Sequence, residues 1–69
     1  MKLGNTIRRC RFDNDEMSQQ DLADVIGVTR QTIFSIEKGK FVPSALLALK
    51  IARFFNKSFE EVFFIVDEK

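Results

Sequence analysis

The stretch Ser18-Gln19-Gln20-Asp21-Leu22-Ala23-Asp24-Val25-Ile26-Gly27-Val28-Thr29-Arg30-Gln31-Thr32-Ile33-Phe34-Ser35-Ile36-Glu37-Lys38-Gly39-Lys40 decides the fold. Its apolar residues recur at helical spacing on either side of Gly27, which reads as a short helix, a tight turn and a second helix. Ser18 is a good N-cap, and Asp21 three residues on completes a capping box by position. Gly27 suits the left-handed conformation that ends a helix, and Thr29 caps the next one. Leu22, Val25, Ile26, Val28, Ile33 and Ile36 are expected to face inward, and Ala23 is small enough for two helices to cross closely. Left outward is the start of the second helix, with Thr29, Arg30, Gln31 and Thr32. Forked and amide donors at a helix N-terminus are what reading base edges in a DNA major groove requires.

Outward from this segment the pattern stays helical and Gly/Pro punctuation is sparse. Toward the N-terminus, a helix is expected from about Asn5 to Phe12, with Ile7, Cys10 and Arg11 on or near one face, followed by a polar turn at Asp13-Asn14-Asp15-Glu16. The reading helix ends before Gly39, and Phe41 and Val42 lie in a loop closed by Pro43. Ser44 caps a fourth helix that runs to Phe55, where Asn56 is an acceptable left-handed terminator. Ser58-Phe59-Glu60-Glu61 is a second capping box and opens a fifth helix. Phe54, Phe55, Phe59 and Phe63 are expected to pack these last two helices together. Phe64, Ile65 and Val66 are too apolar for a free tail and favour a short antiparallel strand paired with the same segment of a second chain. Asp67-Glu68-Lys69 should fray.

Length and composition narrow the possibilities. Sixty-nine residues make one domain, and a chain this short buries only about 60% of the surface it would expose unfolded. It needs good helix packing, a partner chain, or both. The single cysteine, Cys10, rules out an intramolecular disulfide; it reads as a small core residue. With no histidine, the usual zinc ligand sets cannot be assembled. There is no Walker-type phosphate loop, so neither an enzyme nor a cofactor is expected. No apolar run reaches the ~20 residues that span a bilayer, and a reduced, cytoplasmic setting fits.

The net charge of +1 is weak for a nucleic-acid binder, but its distribution is uneven. Residues 1–12 hold Lys2, Arg8, Arg9 and Arg11 without an acid, and residues 13–24 hold five acids without a base. Residues 27–57 hold Arg30, Lys38, Lys40, Lys50, Arg53 and Lys57 against Glu37 alone. A small net charge can therefore conceal one basic face.

With these residues placed, the chain resembles the Xre family of bacterial, archaeal and phage helix-turn-helix regulators over about Ile7 to Phe63. The segments that carry the likeness are Met17 to Ala23, Val28 to Ile33, Ile36 to Lys40, Pro43-Ser44 and Leu47 to Ala52. The resemblance implies an all-α, five-helix Cro/repressor-like DNA-binding domain spanning residues 1–69. Its helix-turn-helix lies in the second and third helices; the dimerisation tail, residues 64–69, is read from its apolar residues and not from the resemblance. It further implies that Gln19 clamps a phosphate and buttresses the reading helix, and that Thr29, Arg30 and Gln31 enter the major groove. Thr32, Phe34 and Ser35 occupy neighbouring exposed positions, and Lys38 and Lys40 hold the sugar-phosphate backbone. Arg11 and Glu37 correspond to a structural ion pair.

Residue chemistry sharpens these roles. Arg30 can donate two parallel hydrogen bonds to guanine and Gln31 can pair with adenine, while Phe34 offers only apolar contact, as to a thymine methyl. The base-contact set is thus Thr29, Arg30, Gln31, Phe34 and Ser35, and the phosphate set is Gln19, Thr32, Lys38 and Lys40. Dimerisation falls to Phe63, Phe64, Ile65 and Val66. The expected function is sequence-specific binding of double-stranded DNA by a homodimeric transcriptional regulator, a repressor by default. A second reading is an antitoxin-like or adaptor module with a protein partner, for which Phe34 and Leu46, departures from the family pattern, would supply the surface.

Overall fold

The computed structural model describes residues 1–67. In chain order the elements are β1 (Lys2–Asn5), α1 (Ile7–Asp13), α2 (Gln19–Ile26), α3 (Arg30–Glu37), α4 (Ala45–Phe54), α5 (Phe59–Val62) and β2 (Phe63–Val66). The five helices surround one core of Ile7, Cys10, Leu22, Ala23, Ile26, Ile33, Ile36, Ala48, Ile51, Ala52, Val62 and Phe63.

The helix starts follow the chemistry of their caps. The Ser18 hydroxyl accepts from the Asp21 amide, and the Asp21 carboxylate accepts from the Ser18 amide in return. Ser58 and Glu61 form the same reciprocal pair, and Thr29 and Ser44 each cap through one side-chain oxygen. Such bonds satisfy amide groups that have no partner inside the helix. Gly27, at φ 90°, ends α2 in the left-handed region, and its N–H donates to the Ala23 carbonyl at 2.8 Å. Asn56 does the same work after α4 at φ 57°.

The expected inward set needs one change. Val25 is 56% exposed, because Leu22, Ala23 and Ile26 define the buried stripe of α2 and Val25 lies roughly a quarter-turn to its side. Ala23 is fully buried where α2 meets its neighbours.

The chain ends depart most from expectation. The first helix begins at Ile7 rather than Asn5, and residues 2–5 form a strand. β1 and β2 pair antiparallel in one chain, with Leu3 opposite Ile65, Gly4 opposite Phe64 and Asn5 opposite Phe63. The apolar tail therefore finds its strand partner at the N-terminus of its own chain, where pairing with a second chain was expected. Phe63 is not an interface residue in this fold: it is 2% exposed, in the core, and stacks on Phe59 with ring centroids 5.3 Å apart. Phe54 and Phe55 meet edge-on at 5.1 Å, so the four rings form two local pairs. Gly4 leaves room for its neighbours: a Cβ there would lie 2.5 Å from the Phe64 ring and 2.7 Å from a Val66 methyl, so a larger residue would displace those side chains. The Thr6 N–H donates to the Val62 carbonyl at 2.8 Å and its hydroxyl to the Glu61 carbonyl at 3.0 Å, which locks this ribbon onto α5. The expected fraying of Glu68 and Lys69 lies outside the described residues.

Candidate nucleic-acid interface

The outward end of α3 is built from the turn that precedes it. Gly27 bends the chain, Val28 is half-buried, and Thr29 is extended at ψ 157° with its hydroxyl accepting from the Thr32 amide at 3.2 Å. The Thr29 and Thr32 hydroxyls also lie 3.0 Å apart, so Thr32 is tied to the cap. Arg30 and Gln31 follow directly and are exposed. Phe34 and Ser35, one turn on, are half-buried.

A chain of polar contacts fixes this end of α3 to the rest of the molecule. Arg11 grips Glu37 with two bonds, Nε to Oε2 at 2.7 Å and Nη2 to Oε1 at 3.0 Å. The two side chains are 13% and 8% exposed, so little solvent screens them. Arg11 Nη1 donates to the Met17 carbonyl at 2.8 Å, which ties the segment entering α2 to the same pair. Gln19 Nε2 then donates to Glu37 Oε1 at 3.1 Å. A carboxylate can only accept, so the amide nitrogen of Gln19 must face Glu37 and its oxygen must face away. That oxygen accepts from Arg30 Nη1 at 3.4 Å. Arg11, Glu37, Gln19 and Arg30 are thus one connected set, running from a core-side ion pair to the exposed tip of the helix.

Beyond α3 the chain turns back through Gly39 at φ 76°, and the amides of Lys40 and Phe41 donate to the Ser35 carbonyl at 2.9 and 3.2 Å. This wrap presents Lys38 and Lys40, both exposed, just past the end of the helix. The Lys38 ammonium lies 5.7 Å from the centre of the Phe34 ring, which attracts it through the ring's negative face. On the other side of α3, Thr29, Gln31, Thr32, Ser35 and Phe41 line a shallow groove.

Three residues act here that sequence reasoning did not single out. Asn5 Nδ2 donates to the Ile36 carbonyl at 3.0 Å while its oxygen accepts from the Ile7 amide, so β1 braces the last turn of α3. Lys50 Nζ donates to the Ile26 carbonyl at 3.0 Å and places a cation at the negative end of α2. Phe41 reaches the groove beside Gln31. Asn5 and Lys50 carried no local signal, because each acts on an element distant in sequence; Phe41 sits in a loop whose fold back onto α3 its own sequence does not announce.

The fold and this surface define a helix-turn-helix protein: two short helices joined by a left-handed glycine, with the donor-bearing start of the second exposed and buttressed. The helix-turn-helix family profile HTH_3 matches residues 8–62, and the chain belongs to that family, the Xre type. It is 53% identical over 60 residues to YgzD, an uncharacterized HTH-type transcriptional regulator of Bacillus subtilis, covering 87% of this chain and 86% of that one. A second uncharacterized HTH-type transcriptional regulator, from Methanocaldococcus jannaschii, is 51% identical over 53 residues, covering 77% of this chain and 80% of its own. Among solved structures, a provisionally assigned DNA-binding protein from Bacteroides fragilis superposes with a TM-score of 0.74 at 21% identity, over 88% of this chain and 97% of that one. That likeness concerns the fold. No helix among the described residues is long and apolar enough to cross a membrane.

Proposed function

We propose that the protein is a sequence-specific DNA-binding regulator of transcription, acting as a homodimeric repressor, with α3 in the major groove. The observation that carries this reading is the linked set Arg11–Glu37–Gln19–Arg30, which presents the exposed Thr29-Arg30-Gln31 tip on a rigid base. Arg30 and Gln31 read base edges, with Thr29, Phe34 and Ser35 beside them. Gln19, Thr32, Lys38 and Lys40 hold phosphates and set register. Both relatives named above are regulators of this type by name, which supports the same role here. Dimerisation is supported by apolar side chains left at the surface of the ribbon, Phe64 at 44% and Ile65 at 63% exposure, where a second copy would dock.

Selection of bound fragments from a random duplex pool at two salt concentrations tests this. The expected result is a two-fold symmetric motif with half-sites about 10 base pairs, or about 34–36 Å, apart. In the same assay Arg30→Ala should cost about 1–3 kcal/mol and relax one base position of each half-site. A uniform loss across all sequences would move Arg30 to the phosphate class. Binding without a motif that fades as salt rises would reduce the interaction to phosphate attraction. The antitoxin-like or adaptor reading would then gain, with the half-buried Phe34 and Leu46, 71% exposed on α4, as its docking surface.

A further inference from the structure

Between α1 and α3 lies an open cleft of about 440 Å³, lined by Asn5, Arg8, Gln19, Arg30, Phe34, Glu37 and Lys38. Its charge is one-sided. Glu37 is the one acid in the lining, and both of its oxygens are taken by Arg11, whose guanidinium offsets its charge. Arg8, Arg30 and Lys38 therefore face the cleft as an excess of positive charge. Two neighbours on α1 show how selective this is. Arg9 is paired with Asp13 at 3.1 Å, one helical turn along the same exposed face. Arg8, the adjacent residue, forms no ion pair and no side-chain hydrogen bond among the described residues, and it lines the cleft.

The opposite wall is fixed. Lys38 is drawn to the Phe34 ring, and Gln19 is held by Glu37 with only part of its amide hydrogen-bonding capacity used. A small anion seated here would meet guanidinium, ammonium and amide donors at once, in a cleft open enough for a continuous chain to pass. A phosphodiester group fits that chemistry, since its oxygens only accept and the free groups of Arg8 and Lys38 only donate.

We propose that this cleft seats a DNA backbone phosphate and that Arg8, on α1, grips it, which extends the DNA-contacting surface beyond the helix-turn-helix. The proposal rests on the DNA-binding reading above and adds a residue outside both helices of that motif.

The test is the salt dependence of duplex binding by the full chain, for wild type, Arg8→Gln and Arg9→Gln. For Arg8→Gln, the slope of log affinity against log salt should become shallower by about one unit, with affinity at 0.1 M salt falling by about tenfold. The selected motif and the melting temperature should stay unchanged, because the exposed Arg8 side chain makes no ion pair or hydrogen bond among the described residues. Arg9→Gln should leave the slope near that of wild type. Equal slopes for the two variants would overturn the proposal. A wild type that recovers no motif would overturn sequence reading, yet the Arg8 slope could still be read on any duplex, so the two failures separate. A wild type that does not bind duplex at all would overturn both.

Discussion

The helix-turn-helix and the terminal ribbon are held by different kinds of contact: α2 and α3 bury five side chains, Leu22, Ala23, Ile26, Ile33 and Ile36, whereas the two strands bury Phe63 alone. In the first, the important contacts are polar and directional: a cap, a left-handed glycine, and an ion pair whose carboxylate also orients an amide. In the second they are largely apolar: the core residue Phe63 stacked on the more exposed Phe59, with two more apolar side chains left at the surface. The first region has to hold a particular set of donors in place. The second has only to close the core and tie the chain ends together. A substitution in one should therefore cost stability and geometry together, and in the other stability alone.

Phe63→Ala should have the largest effect. Removing a fully buried aromatic ring costs about 3–5 kcal/mol, a large share of the total for so small a domain. Chemical denaturation should give a much lower midpoint, while base preference in the remaining folded fraction stays as in wild type. A changed motif would mean that the ribbon shapes the reading helix and would erase the distinction between the regions. That route exists physically, since Asn5 links β1 to the Ile36 carbonyl.

Glu37→Ala comes next, at about 3 kcal/mol, because it leaves the Arg11 guanidinium buried without its carboxylate. Unlike the ribbon variant, it should also weaken DNA binding beyond what lost folding explains, since Gln19 loses the acceptor that orients it. Comparing affinity per folded molecule separates the two effects. If stability falls and that affinity does not, the ion pair is a brace for the fold and nothing more.

What the sequence allowed to be read follows the same division. The four side-chain caps, the left-handed Gly27 and the buried positions of α3 were legible because each depends on residues within one or two turns. The Arg11–Glu37 contact was accessible only through family resemblance, as nothing local joins residues on different helices. The ribbon was half legible. The β-prone, apolar character of Phe63 to Val66 marked a strand, but its partner lies at the far end of the chain, where Lys2-Leu3-Gly4-Asn5 has neither length nor alternation to announce one. With the partner unseen, a second chain was the natural inference. Arg8 escaped for a related reason: the cleft that it lines is made with α2 and α3, which are distant from it in sequence.

Thr29→Ala probes the turn itself. Loss of a side-chain N-cap costs about 1 kcal/mol. Ser44→Ala removes the same bond at the start of α4, away from the proposed interface. The two variants should melt alike but bind DNA differently, with the Thr29 variant weaker because its capped turn sets the angle of Arg30 and Gln31. Equal binding by both would show that α3 is held by its core residues Ile33 and Ile36 without help from its cap.

The smallest effect expected is at Glu61, in the second capping box, on the ribbon side. The Ser58 amide donates to its Oε1 at 2.7 Å, and this bond, followed by the Ser58 hydroxyl, holds the Glu61 carboxyl below its ordinary value of 4.5. A group with a depressed folded-state value contributes stability above its ordinary value and loses it as pH falls through the depressed one. Glu61→Gln keeps a side-chain acceptor but removes the charge. Melting temperatures of wild type and variant should therefore differ most near neutral pH, with wild type higher, and converge as pH drops below the usual carboxylate range. A difference that stays constant across that range would mean that the charge contributes nothing and the cap acts only by its geometry. Because this box locks α5 just ahead of β2, even a small acid-dependent loss should appear first in the amides of Phe63 and Phe64, before those of α2 and α3.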